Sequence, residues 1–214
     1  MKFDTLLFDL DGTLTNPALG ITNAVMASLK DFGITVRDRR ELYPFIGPPL
    51  VDSFREVYGF SDAEVARAID VFHDYFGRIG KFENELLPGA VELLGSVKAS
   101  GYRVALATSK PEIFARQILD HFALTQYFDG IFGASYDEKK TAKADIVRTA
   151  LEWCGPNARA LMIGDRRHDV EGARANGIPC AGVLCGFGSE EELRTAGAAF
   201  VFADLPALES FLRP

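Results

Sequence analysis

Three cysteines in 214 residues, Cys154, Cys180 and Cys185, form neither a disulfide framework nor a zinc site, because the number is odd and no CxxC occurs. They predict buried, reduced thiols. Basic runs are equally scarce: no stretch of Lys and Arg exceeds two residues, and 23 basic against 30 acidic side chains leave a formal charge of −7. Phosphate neutralisation along a polymer needs a basic face, so nucleic-acid binding is not expected. No apolar stretch approaches the roughly 18 residues of a membrane span. The opening MKFDTLLFDLDGT carries Asp4, Asp9 and Asp11 where a signal peptide would carry an apolar core. The expectation is a cytoplasmic chain with no membrane partner, a monomer or homodimer. GxSxG, HExxH, P-loop and GxGxxG are all absent, which removes the usual signals of serine hydrolases, zinc proteases, NTPases and Rossmann dehydrogenases. His73, His121 and His168 share no ligand spacing and read as surface or satisfied residues.

What is present is ordinary in bulk and specific in detail. A hydrophobic content of 48% with 25% charged residues is that of a soluble globular protein. The length corresponds to about 1.4 domains, which suggests a core carrying one insertion. Short apolar runs at Thr5 to Phe8, Arg103 to Ala107, Ile131 to Phe132, Ala160 to Ile163, Cys180 to Leu184 and Ala199 to Phe202 fit buried parallel strands. Amphipathic segments of helical length separate most of them: Ala90 to Ala99, Ile113 to Phe122, Ala144 to Cys154, Val170 to Asn176 and Glu190 to Ala196. That alternation predicts an α/β fold, a doubly wound parallel sheet with helices on both faces. The interval between the first two strands is far longer than one crossover. It contains the helix-like stretches Gly20 to Phe32, Pro49 to Tyr58 and Ala63 to Phe76 and no convincing strand, with Gly59 as a stop and Asp62 as an N-cap. The expected organisation is a core of residues 1–16 and 87–214 carrying an all-helical cap of residues 17–86.

The sharpest motif is Phe8-Asp9-Leu10-Asp11-Gly12-Thr13, an apolar strand running into two carboxylates, a glycine and a hydroxyl. Ligands of open α/β sheets collect at the carboxyl ends of strands, where Asp9 and Asp11 fall. Residues two apart in a strand share a face, and Gly12 lets the chain turn and its amides approach an anion. A second acidic pair, Asp165 and Asp169, closes the apolar run Leu161-Met162-Ile163-Gly164. If adjacent strands bring Asp165 beside Asp9 and Asp11, mutual repulsion calls for a cation. An all-oxygen cluster favours a hard ion, Mg2+ rather than zinc. Asp169 reads as a ligand, a supporting partner or a helix N-cap, and the first motif tips the balance from cap to metal site. Thr108 and Ser109 end another strand, where a hydroxyl and the amides of the next helix suit phosphate oxygens, although Thr-Ser before Lys110-Pro111 is also an ordinary N-cap. Lys143 opens a helix and is placed to neutralise a phosphate; Lys139 and Lys140 read as solvated loop residues.

These motifs occur in the order and approximate spacing of the haloacid dehalogenase superfamily, which the chain resembles over essentially its whole length. An insert directly after the first motif resembles the helical C1 cap of the phosphoglycolate phosphatase-like branch. Asp11-Gly12-Thr13-Leu14-Thr15, Phe45-Ile46-Gly47-Pro48-Pro49-Leu50, Ile163-Gly164-Asp165-Arg166 and Gly186-Phe187-Gly188-Ser189 are similar to a 5′-nucleotidase-like group within it. The third motif departs from the KPxP form of many relatives, which leaves Lys140 beside Lys143 as the phosphate-neutralising lysine.

Carried over, the resemblance implies a phosphatase acting on a small phosphomonoester, 2-phosphoglycolate or a nucleoside monophosphate in kind. Asp9 would attack phosphorus and Asp11 would serve as acid and then base. Mg2+ would be held by Asp9, the backbone carbonyl of Asp11 and Asp165, with Asp169 supporting. Thr108, Ser109, Lys143, Gly12, Thr13 and the cap residue Gly47 would surround the substrate. An unperturbed Asp near pKa 3.9 is protonated about once in a thousand at pH 7, a penalty of about 4 kcal/mol, so the site must raise Asp11. Two alternatives remain at this point: a phosphomutase, which shares the first half-reaction, and a non-enzymatic phospho-acceptor or binding module. Tyr43, Phe45 and Phe187 are candidates to stack on a base.

Overall fold

The structure, a computed structural model, describes residues 2–137 and 142–213. In chain order its elements are β1 (Thr5–Phe8), β2 (Thr15–Asn16), α1 (Ala18–Asp31), a 3-10 turn (Arg39–Phe45), α2 (Leu50–Tyr58) and α3 (Asp62–Arg78). A second 3-10 turn (Gly80–Phe82), β3 (Glu85–Leu86), α4 (Ala90–Ala99), β4 (Arg103–Pro111) and α5 (Glu112–His121) follow. A third 3-10 turn (Thr125–Tyr127) then leads to β5 (Gly130–Ala134), α6 (Lys143–Cys154), β6 (Ala160–Gly164) and α7 (Arg167–Ala175). The chain ends with β7 (Cys180–Val183), α8 (Glu190–Ala196), β8 (Phe200–Phe202) and α9 (Leu205–Leu212).

Every residue of β1 is buried, so this strand has to be covered on both faces. It lies inside a six-stranded sheet of order β5-β4-β1-β6-β7-β8 whose pairings are all parallel. Alternation along β1 divides the interior in two. Leu6 and Phe8 join Val104, Leu106, Leu161 and Ile163 on one face, under α4, α5 and α9. Leu7 joins Ala105, Ala107 and Met162 on the other, under α6 and α7. The chain winds from β1 to β4 and β5 on one side and then returns to β6, β7 and β8 on the other. β1 is therefore the point at which the winding reverses, and in such sheets a crevice opens at the carboxyl end of that strand.

The long interval after β1 is helical, as its patterning predicts. Val25 and Leu29 of α1, Leu42, Phe45, Phe54 and the α3 residues Val65, Ala68, Phe72 and Phe76 are buried together. Ser28 Oγ donates to Ala68 O at 2.8 Å and fastens α1 to α3. Three details differ from expectation. Asp62 is the first helical residue, and the cap is Ser61, whose N–H and hydroxyl both donate to Glu64 Oε2 at 2.8 and 2.7 Å in a capping box. Two short strands are present as well: β2 and β3 pair antiparallel, Thr15 with Leu86 and Asn16 with Glu85, where the chain leaves and re-enters the core. Pairs this short carry no periodicity. Finally, α9 was not anticipated from the pattern; Asp204 caps it by accepting from Ala207 N at 2.8 Å, and Pro206 lies in its first turn, where a missing N–H leaves no helical bond unmade. The three cysteines are free, Cys180 buried and Cys154 and Cys185 half-buried.

Candidate active site

Parallel register assembles the site. Phe8 lies opposite Leu106 on one side and Ile163 on the other, so the chain segments that follow, with Asp9, Thr108 and Asp165, emerge at one edge of the sheet. Asp9 N donates to Ile163 O at 2.9 Å and holds β1 level with β6 one step past the paired strands. Asp9, Asp165 and Asp169 each offer a carboxylate oxygen, and these three atoms lie within 4.8 Å of one another. All three residues are buried, Asp165 completely.

Lys143 enters this cluster from the first turn of α6. Its ammonium lies 2.7 Å from Asp9 Oδ1 and 2.7 Å from Asp169 Oδ1, and it donates to Ala107 O at 3.0 Å. Burial alone would lower the Lys143 pKa, but Asp169 and Asp9 reverse that and hold the ammonium charged. The carboxylates are less well served. Burial pushes Asp165 well above the ordinary carboxylate range, and the neighbouring Asp169 and Asp9 charges add to it. Asp169 is pushed up to about 6, because burial and Asp9 outweigh the pull of Lys143. Asp169 also works locally, although not as the N-cap: that position is Arg166, and Asp169, the third residue of α7, accepts from Arg166 N at 3.1 Å through Oδ2.

Asp11 faces a different cation. Its Oδ2 lies 2.6 Å from Lys110 Nζ, with both side chains under a tenth exposed, while Oδ1 has no hydrogen-bond partner. Burial raises the Asp11 pKa, and the Lys110 charge works against it. Four buried acids thus share two lysines, a deficit of two positive charges that one divalent cation would fill. The all-oxygen donor set and the three converging carboxylates fit Mg2+.

The cleft above these groups has a volume of about 530 Å³, counting the open space at its mouth. Asp9, Asp11, Thr108, Ser109 and Lys110 form its floor, and the helical insert supplies the opposite wall through Phe45, Gly47, Pro49, Phe72, His73 and Phe76. Gly47 lines the same cleft as Asp9, Asp11 and Thr108, from the insert. Arg166, directly after Asp165, reaches up and donates to Ile46 O at 2.6 Å and to Glu192 Oε1 at 2.9 Å. Tyr43 meets Phe187 edge-on, with ring centres 5.8 Å apart. These contacts join the insert's loop to the core.

Gly12 and Thr13 do not line the cleft. Their amides bond Thr15 O and Leu10 O inside the turn, and the Thr13 hydroxyl donates to Asp165 Oδ1 at 3.4 Å. Gly12 is required for another reason: at φ +81° its missing Cβ would stand 2.3 Å from Asp165 Oδ2. The Asp11 carboxyl stands outside the three-carboxylate cluster. Lys139 and Lys140 lie outside the described residues. Lys110 and His73 are the polar cleft residues that sequence reasoning passed over. Thr-Ser before Lys110-Pro111 reads as an N-cap, yet β4 continues through it to Pro111 with a register shift, and Lys110 lines the cleft.

A sequence model of haloacid dehalogenase-like hydrolases matches residues 6–183. A Pseudomonas aeruginosa protein named 5′-nucleotidase is 43% identical over 213 residues, which is 99% of this chain and 96% of that one. A crystal structure of a predicted phosphatase from Clostridium acetobutylicum superposes with a TM-score of 0.94 at 46% identity, covering 98% of each chain. The tyrosine-protein kinase PtkA of Mycobacterium tuberculosis is 38% identical over 184 residues, 86% of this chain and 62% of the kinase.

Proposed function

The chain belongs to the haloacid dehalogenase-like hydrolase family, and from that premise we propose that it is a Mg2+-dependent phosphatase of small phosphomonoesters working through an aspartyl-phosphate on Asp9. The observation that carries this reading is the convergence of Asp9, Asp165, Asp169 and Lys143 where the sheet reverses its winding. Asp9, Asp165 and the backbone carbonyl of Asp11 would hold the ion, with Asp169 in support. Bound Mg2+ would neutralise charge on the phosphoryl oxygens and bring the dianionic ester to an acidic cleft.

An Asp9 oxygen forms a bond to phosphorus as the ester P–O bond breaks, and Asp11 gives its proton to the departing alkoxide. Water then attacks the phosphoryl group while Asp11 takes the proton back, which frees the Asp9 carboxylate and inorganic phosphate. Burial supports the first role of Asp11, because it favours the protonated acid. Lys143 balances charge at Asp9, and Thr108 supplies a hydroxyl to the phosphoryl oxygens. The insert, proposed to be a cap of residues 17–86, closes the cleft with apolar rings and limits the ester to a small one such as 2-phosphoglycolate or a nucleoside monophosphate. Transfer to a protein tyrosine, suggested by the kinase relative, lacks support in nucleotide-binding signatures, since P-loop and GxGxxG are absent. The free cysteines support a reducing, cytoplasmic setting, and no described helix is long and apolar enough to cross a membrane.

The test is phosphate release from p-nitrophenyl phosphate with Mg2+, with EDTA, and in Asp9→Asn. Activity that survives chelation or the substitution refutes the mechanism. A side-by-side screen of 2-phosphoglycolate, nucleoside monophosphates and sugar phosphates then identifies the ester, and isomerisation of a sugar phosphate without net release identifies a mutase.

A further inference from the structure

Lys110 lines the cleft, held between the core acid and the helical insert. Its ammonium is 2.6 Å from Asp11 Oδ2 and 4.4 Å from the ring centre of Phe76 in α3. The Lys110 side chain is 6% exposed. Phe76 is fixed in turn, stacked on Phe72 at 5.3 Å and edge-on to the core residue Phe114 at 5.3 Å. A desolvated ammonium needs partners on all sides, and here one side is a carboxylate oxygen and another an aromatic face. The pairing engages Oδ2 and leaves Oδ1 buried and without a hydrogen-bond partner, on a residue that lines the cleft. Rotation about the last side-chain bond of Asp11 would otherwise exchange the two oxygens.

We propose that Lys110 is a positioning residue for the acid–base carboxyl: it pins Oδ2 of Asp11 so that the unpartnered Oδ1 is the oxygen left for the ester, and Phe76 makes that hold depend on the insert lying against the core. This rests on the phosphatase reading. An open insert withdraws the aromatic face, and Asp11 loses its fixed orientation; a seated insert restores it. Proton delivery to the leaving group is thereby tied to enclosure of the substrate, using residues from three elements, the loop after β1, β4 and α3.

The experiment compares two esters in the Mg2+-loaded enzyme. p-Nitrophenolate leaves without a proton, whereas an alkoxide needs one, so only the alkyl ester reports on the acid. Asp11 also serves as base in the water attack common to both esters, so the rate compared is kcat/KM, which covers only the steps through loss of the leaving group: Lys110→Met is expected to lower it about 100-fold on β-glycerophosphate, within the range of general acid catalysis, and less than about 3-fold on p-nitrophenyl phosphate. Phe76→Leu should show the same preference at smaller size, and Lys110→Arg should recover part of the loss. Equal loss on both esters, or no loss on either, overturns the proposal. Circular dichroism melts accompany each variant, and if Lys110→Met does not fold, Phe76→Leu and Lys110→Arg carry the same comparison. A wild-type enzyme that releases phosphate from neither ester refutes the phosphatase reading, and the inference falls with it; one that hydrolyses only the nitrophenyl ester refutes the inference alone.

Discussion

Replacing Lys143 by Met keeps most of the aliphatic stem and removes the charge at the centre of the acidic cluster. The ammonium has three close oxygen partners, at 2.7 Å on Asp9, 2.7 Å on Asp169 and 3.0 Å on Ala107 O, and all are buried. Deleting one member of a buried pair leaves uncompensated charge behind and costs about 3–5 kcal/mol. At roughly 2–4 °C per kcal/mol for a chain of this size, the metal-free variant should melt about 6–20 °C below wild type near pH 7.5. The pH dependence has a definite sign. Asp169 is raised from 3.8 to about 6, so the folded chain holds that proton more tightly than the unfolded one. Its contribution to stability is full below about pH 3.8 and is lost as pH rises through about 6. The deficit of Lys143→Met should therefore shrink near pH 5, where Asp4, Asp129 and Glu192, whose pKa values are lowered, remain ionised and do not confuse the comparison. Mg2+ should raise the melting temperature of the variant more than that of wild type, because the cluster has become more negative. Differential scanning calorimetry in EDTA at the two pH values, then with Mg2+, measures all three. A variant melting within about 2 °C of wild type, less than 1 kcal/mol on that scale, would show that Lys143 does not balance the buried acids.

Two further perturbations probe other parts of the site. Gly186→Ala would place a Cβ 2.2 Å from Gly12 O and 2.3 Å from Asp165 Oδ2, so it should destabilise the fold by about 1–3 kcal/mol or more and weaken Mg2+-dependent turnover; wild-type melting and activity would contradict the packing. Arg166→Ala removes the bond to Ile46 O that ties the insert's loop to the core, and at about 1.5–3 kcal/mol for a charged hydrogen bond it should raise KM at least 10-fold with a smaller change in kcat. An unchanged KM would mean that this contact does not favour the closed arrangement.

Much of this architecture is written in apolar runs. β1, α4 and α8 have the ends that their patterning predicts, because buried parallel strands and amphipathic helices both need uninterrupted faces. Asp9 and Asp165 were legible for a related reason: each directly follows a strand whose end the hydrophobic run already marks, and Asp169 lies four residues beyond Asp165, in the first turn of α7. What escaped depends on partners remote in sequence or on elements too short to show a period. Lys110 gains its significance from Asp11 and Phe76, which no local pattern links to it. Gly12 and Thr13 belong to the turn and the support of Asp165 because their amides bond inside the loop, a choice that composition does not reveal. The two-residue strands β2 and β3 have no alternation to read, and Pro206 in α9 looks like a breaker until its place in the first turn is known.

Thr15 pairs with Leu86 and Asn16 with Glu85, so the chain departs and returns at adjoining rungs of one antiparallel ribbon. Seen from the sheet, residues 17–84 occupy the place of a hairpin turn, however long they are. Closing a flexible loop becomes harder only with the logarithm of its length, about 0.6 kcal/mol for each doubling. Selection can therefore enlarge, shrink or exchange that segment without disturbing strand order or the register that aligns the carboxylates. The junction between Asn16 and Glu85 is a natural splice point, at which new substrate preferences can be grafted onto an unaltered sheet.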